Sequence, residues 1–152
     1  MKFSIKLSGG EELDRKLKNL ETKVSRKIVR KAVRAAQKEP LVVAKSNAKT
    51  MIGGAMGGLI SKWIKILSPK KQYRGSYRLD VGVSSMANDT FVVNSKSNKR
   101  NYIPAAIEYG HGSNKNEAAI PFMRNAHEKT KTRSLRTFKS VLKKGIEETA
   151  RS

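Results

Sequence analysis

At 152 residues the chain is long enough for one domain with a real core and too short for two comfortable ones. Folding at this size buries about 68–70% of the surface the unfolded chain exposes, so no covalent or metal staple is needed. The absence of cysteine excludes disulfides and thiolate metal sites, and no apolar run approaches the ~18 residues of a membrane span.

Lysine and arginine number 33 against 12 acids, giving a formal charge of +21. The excess is spread along the chain: 12 basic against 5 acidic residues in 1–40, 11 against 2 in 41–101, and 10 against 5 in 102–152. Such a charge fits a phosphate-binding surface, through counterion release, or a solvated basic face turned towards an acidic partner. The opening MKFSIKLSGGEEL turns acidic too soon for the apolar core of a signal peptide, so a soluble, intracellular protein is the expectation.

Phe3, Ile5 and Leu7 alternate with polar neighbours, which predicts a short strand with one buried face. Ser8-Gly9-Gly10-Glu11 fits a capping box, with Gly10 as an alternative cap. Leu13, Leu17, Leu20, Val24 and Ile28 then form one apolar stripe of an amphipathic helix, continued by Ala32, Ala35 and Ala36, whose small side chains admit a neighbouring backbone. Pro40 predicts a kink or a fresh helix start near Glu39, with helix running on through Leu41, Val42, Ala44 and Ala48.

Gly53, Gly54, Gly57 and Gly58 predict an end to helical order and a flexible connection over 51–58. They lack the Gly-Lys-Ser/Thr of a phosphate loop. Leu59–Leu67, anchored by Trp63, reads as a strand, and Pro69-Lys70-Lys71 as a turn. Tyr77, Leu79, Val81 and Val83 alternate with polar or small residues, the clearest strand signal in the chain. Phe91 and Val93 suggest a third strand after an Asn88-Asp89 turn, and 94–101 reads as an exposed basic loop. From Pro121 the helical period returns with Phe122, Ala126, Leu135, Phe138, Leu142 and Ile146. The order is that of an α+β fold: a small antiparallel sheet packed against a long N-terminal helix and a C-terminal helix, in a single domain over residues 1–152.

No catalytic constellation emerges. His111 and His127 are the only histidines, and neither has the spacing of a metal site. No Gly-x-Ser-x-Gly elbow is present. Glu108 is the one carboxylate in suggestive company, after an apolar run and before Tyr109-Gly110. General acid/base work would want a second carboxylate near it, with Glu117 in a loop of unknown reach. The structural alternative has Glu108 accepting backbone amides or pairing with an arginine such as Arg124. Gly110 and Gly112 suit positive-φ turn positions, Pro121 suits a helix's first turn, and Phe122 suits a plug into the sheet. Tyr102–Ala126 therefore reads as a rigid corner that docks the last helix, with Glu108, Gly110, Pro121 and Phe122 as its clasp.

Ile107-Glu108-Tyr109-Gly110, followed after a loop by Pro121-Phe122-Met123-Arg124-Asn125-Ala126, resembles the E-aromatic-G … P-F-l-r-P-A signature of the tail-completion (head–tail joining) proteins of long-tailed phages, which include the lambda-like minor tail protein Z group. Residues 1–36 and 48–64 are similar to the family's opening strand and helix and to its glycine-then-strand passage. Asn125 stands where the family often has proline, and His111 where threonine is common. The resemblance implies a non-enzymatic virion protein without a cofactor, assembled in the host cytoplasm and sited at the tail or neck. It implies a homo-oligomer, commonly a hexameric ring, that bridges neck or connector proteins and the tail terminator or tail tube while genomic DNA passes. It implies no membrane partner. Lys96, Lys99 and Arg100 are the candidate partner or DNA contacts, and 51–58 and 94–101 the candidate contacting loops. The contrasting expectation is a small, basic, independent nucleic-acid-binding protein, drawn from the charge and the runs Arg26–Arg34 and Lys96–Arg100. Against it stand an aromatic content of only 6% and the lack of a recognition motif.

Overall fold

The computed structural model describes residues 22–69, 77–94, 100–110 and 118–151. The expected strand at Phe3–Leu7, the Ser8–Glu11 cap and the turn at Lys70-Lys71 lie outside them. The fold is α+β, with two small antiparallel strand pairs set against long helices. Helix α1 spans Thr22–Ala36 and α2 Lys38–Asn47, followed by a π-helical turn, Ala48–Ile52. Helix α3 covers Gly54–Trp63, strand β1 Ile64–Leu67 and strand β2 Asp80–Val83. After a 3-10 turn at Ser85–Ala87 come the short α4 (Asn88–Phe91), β3 (Val92–Asn94), β4 (Arg100–Tyr102) and α5 (Ile103–Tyr109). The last helix, α6, runs for 29 residues from Phe122 to Ala150.

The frame is a long antiparallel helix pair. Ile28 of α1 lies against Gly145 of α6, Glu39 of α2 pairs with Arg133 at 2.9 Å, and the Asn47 amide donates to the Phe122 carbonyl at 2.9 Å. One partner rises along α1 and α2 as the other descends along α6. The buried seam runs at four-residue spacing on both sides: Ile28, Ala32, Ala36, Pro40, Ala44 and Ala48 on one, Ala126, Thr130, Ser134, Leu142 and Ile146 on the other, with half-buried Phe138 in step. Residues four apart form the ridge that helices use to interdigitate, and alanine on that ridge lets the axes approach closely. The break falls at Gln37, two residues ahead of Glu39. Its N–H still reaches the Val33 carbonyl at 3.2 Å, and its carbonyl still accepts the Leu41 N–H, so Pro40 is absorbed in the first turn of α2.

Residues 53–63 depart from the sequence expectation. Gly53 (φ 73°, ψ −178°) and Gly54 (φ 55°) make the turn, but Gly57 and Gly58 lie inside α3. Residues 51–58 are thus a helical turn and a helix rather than a flexible connection, and the strand expected from Leu59 begins only at Ile64. The spacing Gly57, Ile60, Ser61, Ile64 is the buried face of a helix running into β1. Gly57 is needed for proximity: a Cβ there would sit 2.4 Å from the Ala48 carbonyl oxygen.

Strand β1 pairs with β2, Ile64 opposite Val83 and Leu67 opposite Asp80, while β3 pairs with β4, Val92 opposite Tyr102 and Asn94 opposite Arg100. The third strand expected at Phe91–Val93 therefore joins a hairpin of its own, and Phe91 itself ends α4, fully buried. Asn94, Arg100 and Asn101 are strand residues, so the expected loop 94–101 contracts to 95–99, outside the described residues. The alternation expected for β2 also fails: Asp80, Val81 and Gly82 are all buried. Asp80 accepts a hydrogen bond from Arg78 Nε at 2.8 Å, which supplies the partner a buried carboxylate needs. Ala44, Ala48, Ile60, Ile64, Val81, Phe91, Phe122, Met123 and Ala126 form the main core, and Ile28, Ala32, Leu142 and Ile146 a second one along the helix pair.

Gly57→Ala drives a methyl into a backbone carbonyl and is expected to destabilise by about 1–3 kcal/mol, seen as a fall of several degrees in Tm. Gly58→Ala, one residue on and with nothing within 4 Å of its Cβ, is expected to be neutral or to stabilise by up to ~1 kcal/mol. Thermal melts of the two variants separate close packing from helix propensity.

Candidate functional site

Helix α5 starts where Tyr102 leaves β4 and Pro104 fits its first turn, the position at which a missing N–H does no harm. Pro104 and Glu108, four apart, are its buried residues, which turns the Glu108 carboxylate inward. Gly110 ends the helix with φ 81° and ψ 158°, a conformation essentially reserved for glycine. His111, Gly112 and Glu117 lie outside the described residues. On its return the chain is fastened to α5 by the Ile120 N–H, which donates to the Ile107 carbonyl at 2.8 Å.

Pro121 occupies the cap position of α6, one residue ahead of the helix, and has no side chain that can cap it. Glu108 supplies the cap from a distance. Its Oε2 accepts the Met123 N–H at 2.9 Å and its Oε1 accepts the Arg124 N–H at 3.0 Å. These are two of the amides a helix start leaves without an internal partner, and the carboxylate also meets the positive end of the helix dipole. The Arg124 side chain is exposed, with its guanidinium 5.8 Å from the centre of the Tyr109 ring. Asn125 donates its N–H to the Pro121 carbonyl at 2.9 Å, a bond that proline in its place would lack. Its side-chain amide lies 3.9 Å from the Met51 sulfur.

Phe122 is 1% exposed and sits in the main core with Ile64 of β1, Val81 of β2 and Phe91. Tyr102 packs its ring edge-on to Phe91, centroids 6.4 Å apart, and burial pushes its phenol pKa up. The structure therefore brings Glu108, Gly110, Pro121 and Phe122 into one corner. Arg100 lies apart from them, exposed on β4 beside an open cleft lined by Asn88, Asp89, Val92 and Asn94. Lys96 and Lys99 lie outside the described residues.

Chemically, the corner is saturated. Glu108 is 1% exposed and both its oxygens are engaged by amides, so it offers no free base to a substrate. His127 is half-buried in the second turn of α6. Among the described residues no group of three or more histidine, aspartate or glutamate side chains could hold a metal ion, and no helix is long and apolar enough to cross a membrane. Sequence reading missed Gln37, Asn47, Thr130 and Ser134, all buried. Gln37 donates to the Leu79 carbonyl at 2.8 Å and Thr130 to the Ala126 carbonyl at 2.7 Å. For Thr130 and Ser134 the available signal was their place in the four-residue periodicity, which polarity hides; Gln37 and Asn47 stand beside the seam, next to Ala36 and Ala48, where no periodic signal marks them. Comparison with protein-family models, with curated proteins and with solved structures returns no significant match.

Glu108→Ala strands the Met123 and Arg124 amides and is expected to destabilise by about 2–5 kcal/mol. Glu108→Gln keeps one acceptor and should lose roughly half as much; equal losses for the two would show that the carboxylate geometry is irrelevant. Gly110→Ala, forced into a left-handed extended conformation, is expected to lose about 1–3 kcal/mol. Denaturant titration of the three variants measures each value.

Proposed function

We propose that this chain is a structural virion protein of a long-tailed phage, a ring-forming tail-completion or head–tail joining component that bridges the neck and the tail tube. The observation that carries it is the meeting of the two halves of the signature. Ile107–Gly110 and Pro121–Ala126 are separated in sequence, yet Glu108 caps the helix that begins at Phe122, and Ile120 is bonded to Ile107. The residues behind the family resemblance thus form a single mechanical device, and an assembly subunit has a use for it.

A ring subunit must present its contact surfaces at fixed angles, because head-to-tail interfaces close only when the rotation per subunit is right. The clasp supports this by joining three things that would otherwise move separately: the β3–β4 hairpin with α5, the β1–β2 pair beneath Phe122, and the long helix frame. Partners would be further copies of the chain, the neck or connector proteins on one side, and the tail terminator or tube on the other. Its place would be the tail or neck of the virion, reached by assembly in the host cytoplasm, with no catalytic step.

Light scattering coupled to size exclusion, with negative-stain images of the same fractions, is expected to show an annular homo-oligomer, formed by the protein alone or on addition of purified tails. A protein that stays monomeric at all concentrations and does not sediment with tails contradicts the proposal.

A further inference from the structure

We propose that the exposed face of α1 is a binding surface for the phosphate backbone of duplex DNA, read without regard to sequence. This goes beyond the ring assignment and does not rest on it. Arg26, Lys27, Arg30, Lys31 and Arg34 follow one another at spacings of one, three, one and three, which gathers them into a single stripe along the helix. All five are exposed, while Ile28, Ala32 and Ala36 bury the opposite face. From Arg26 to Arg34 the helix rises about 12 Å. That is close to the ~10 Å screening length at 0.1 M salt, so the five charges act as one block.

Two features distinguish this stripe from the basic residues of α6. The sequence of α1 holds no aspartate or glutamate, whereas α6 carries its own counter-charges: Lys131 meets Glu128 at 2.6 Å, and Lys143 and Lys144 lie 3.9 Å from Glu147 and Glu148. Arg30 is also steadied, its guanidinium 5.4 Å from the centre of the Tyr77 ring, which reduces the freedom it would lose on binding.

The kind of anion follows from what the face lacks. The large apolar side chains exposed among the described residues are Val42, Met56, Met86, Val93 and Tyr109, and none lies on α1. Protein interfaces are commonly anchored by buried aromatic residues together with arginine, and the sequence of α1 offers no aromatic residue. Single-stranded nucleic acid would need a row of free aromatic rings on which to stack successive bases, and the ring placed at the stripe among the described residues, Tyr77, is half-buried and already faces the Arg30 guanidinium. A duplex needs neither, and presents about one negative charge per 1.7 Å along its axis.

The test is fluorescence anisotropy of a labelled mixed-sequence duplex of about 20 base pairs, titrated across a salt series. Three forms are compared: the full chain, a stripe variant with all five residues changed to Gln, and a control with Lys129, Lys131, Arg136, Lys143 and Lys144 changed to Gln. The stripe variant is expected to bind at least about tenfold more weakly at ~0.1 M salt, with a log–log salt slope shallower by about 4–5. The control, of equal net charge, should change by less than about threefold. Circular dichroism and light scattering verify fold and mass in each case. Should the stripe variant not fold, the double variant Arg26→Gln, Lys27→Gln is expected to shift the slope by about 2. Equal weakening in stripe and control variants, absence of binding by the unaltered chain, or equally effective competition by polyglutamate of matched charge would each overturn the proposal.

Discussion

The fold hinges on a carboxylate that caps a helix to which it does not belong. Helix α6 is 29 residues long and opens after a proline, so its first amides have no local side chain to receive them. Left alone, that end would need water or would fray, and neither suits a start buried beside Phe122 and Met123 in the core. Glu108 settles both needs with two charge-assisted bonds, and the exchange works in both directions. The amides and the helix dipole compensate the burial of the charge, while the charge fixes where the helix begins.

Much else follows from fixing that start. Once Phe122 is placed, Asn47 can donate to its carbonyl, and the seam of small residues falls into register along α1, α2 and α6. A helix packed at four-residue spacing cannot slide by less than a turn without setting each ridge on its neighbour's ridge. The clasp and the seam therefore specify each other: one sets the origin, the other propagates it as far as Ile28 and Gly145. Gly57 repeats the same device on a smaller scale, bringing α3 against the carbonyl of Ala48.

How much of this could be read from the chain depended on whether a residue's own neighbours determined its role. The helix starting after Pro121, the break near Pro40, the α+β layout and the corner around Glu108 were legible, because a proline, a glycine or an apolar period announces each of them. The stretch from Gly53 to Trp63 was not. Its glycines resemble a linker unless one sees that Gly57 is small because Ala48 lies against it. Thr130 and Ser134 escaped for the opposite reason: they are polar residues on the buried ridge of α6, and Thr130 satisfies its hydroxyl within its own helix. Asp80 was expected to face water, and it is Arg78, two residues away, that permits its burial.

The charge of the protein acquires a place through the same frame. With α1 held by its alanine face, the cations of its stripe are exposed and have no acidic partner among the described residues, while those near the end of α6 have glutamates a turn away. Rigid corner and basic face are separate properties of one subunit, and the corner is the more fundamental. Amide hydrogen exchange at Met123 and Arg124 in the unaltered protein tests it most directly. If Glu108 caps them as described, both amides exchange as slowly as the buried core and open only with global unfolding. Rapid exchange at both, of the kind usual for the first turn of an uncapped helix, would contradict the account.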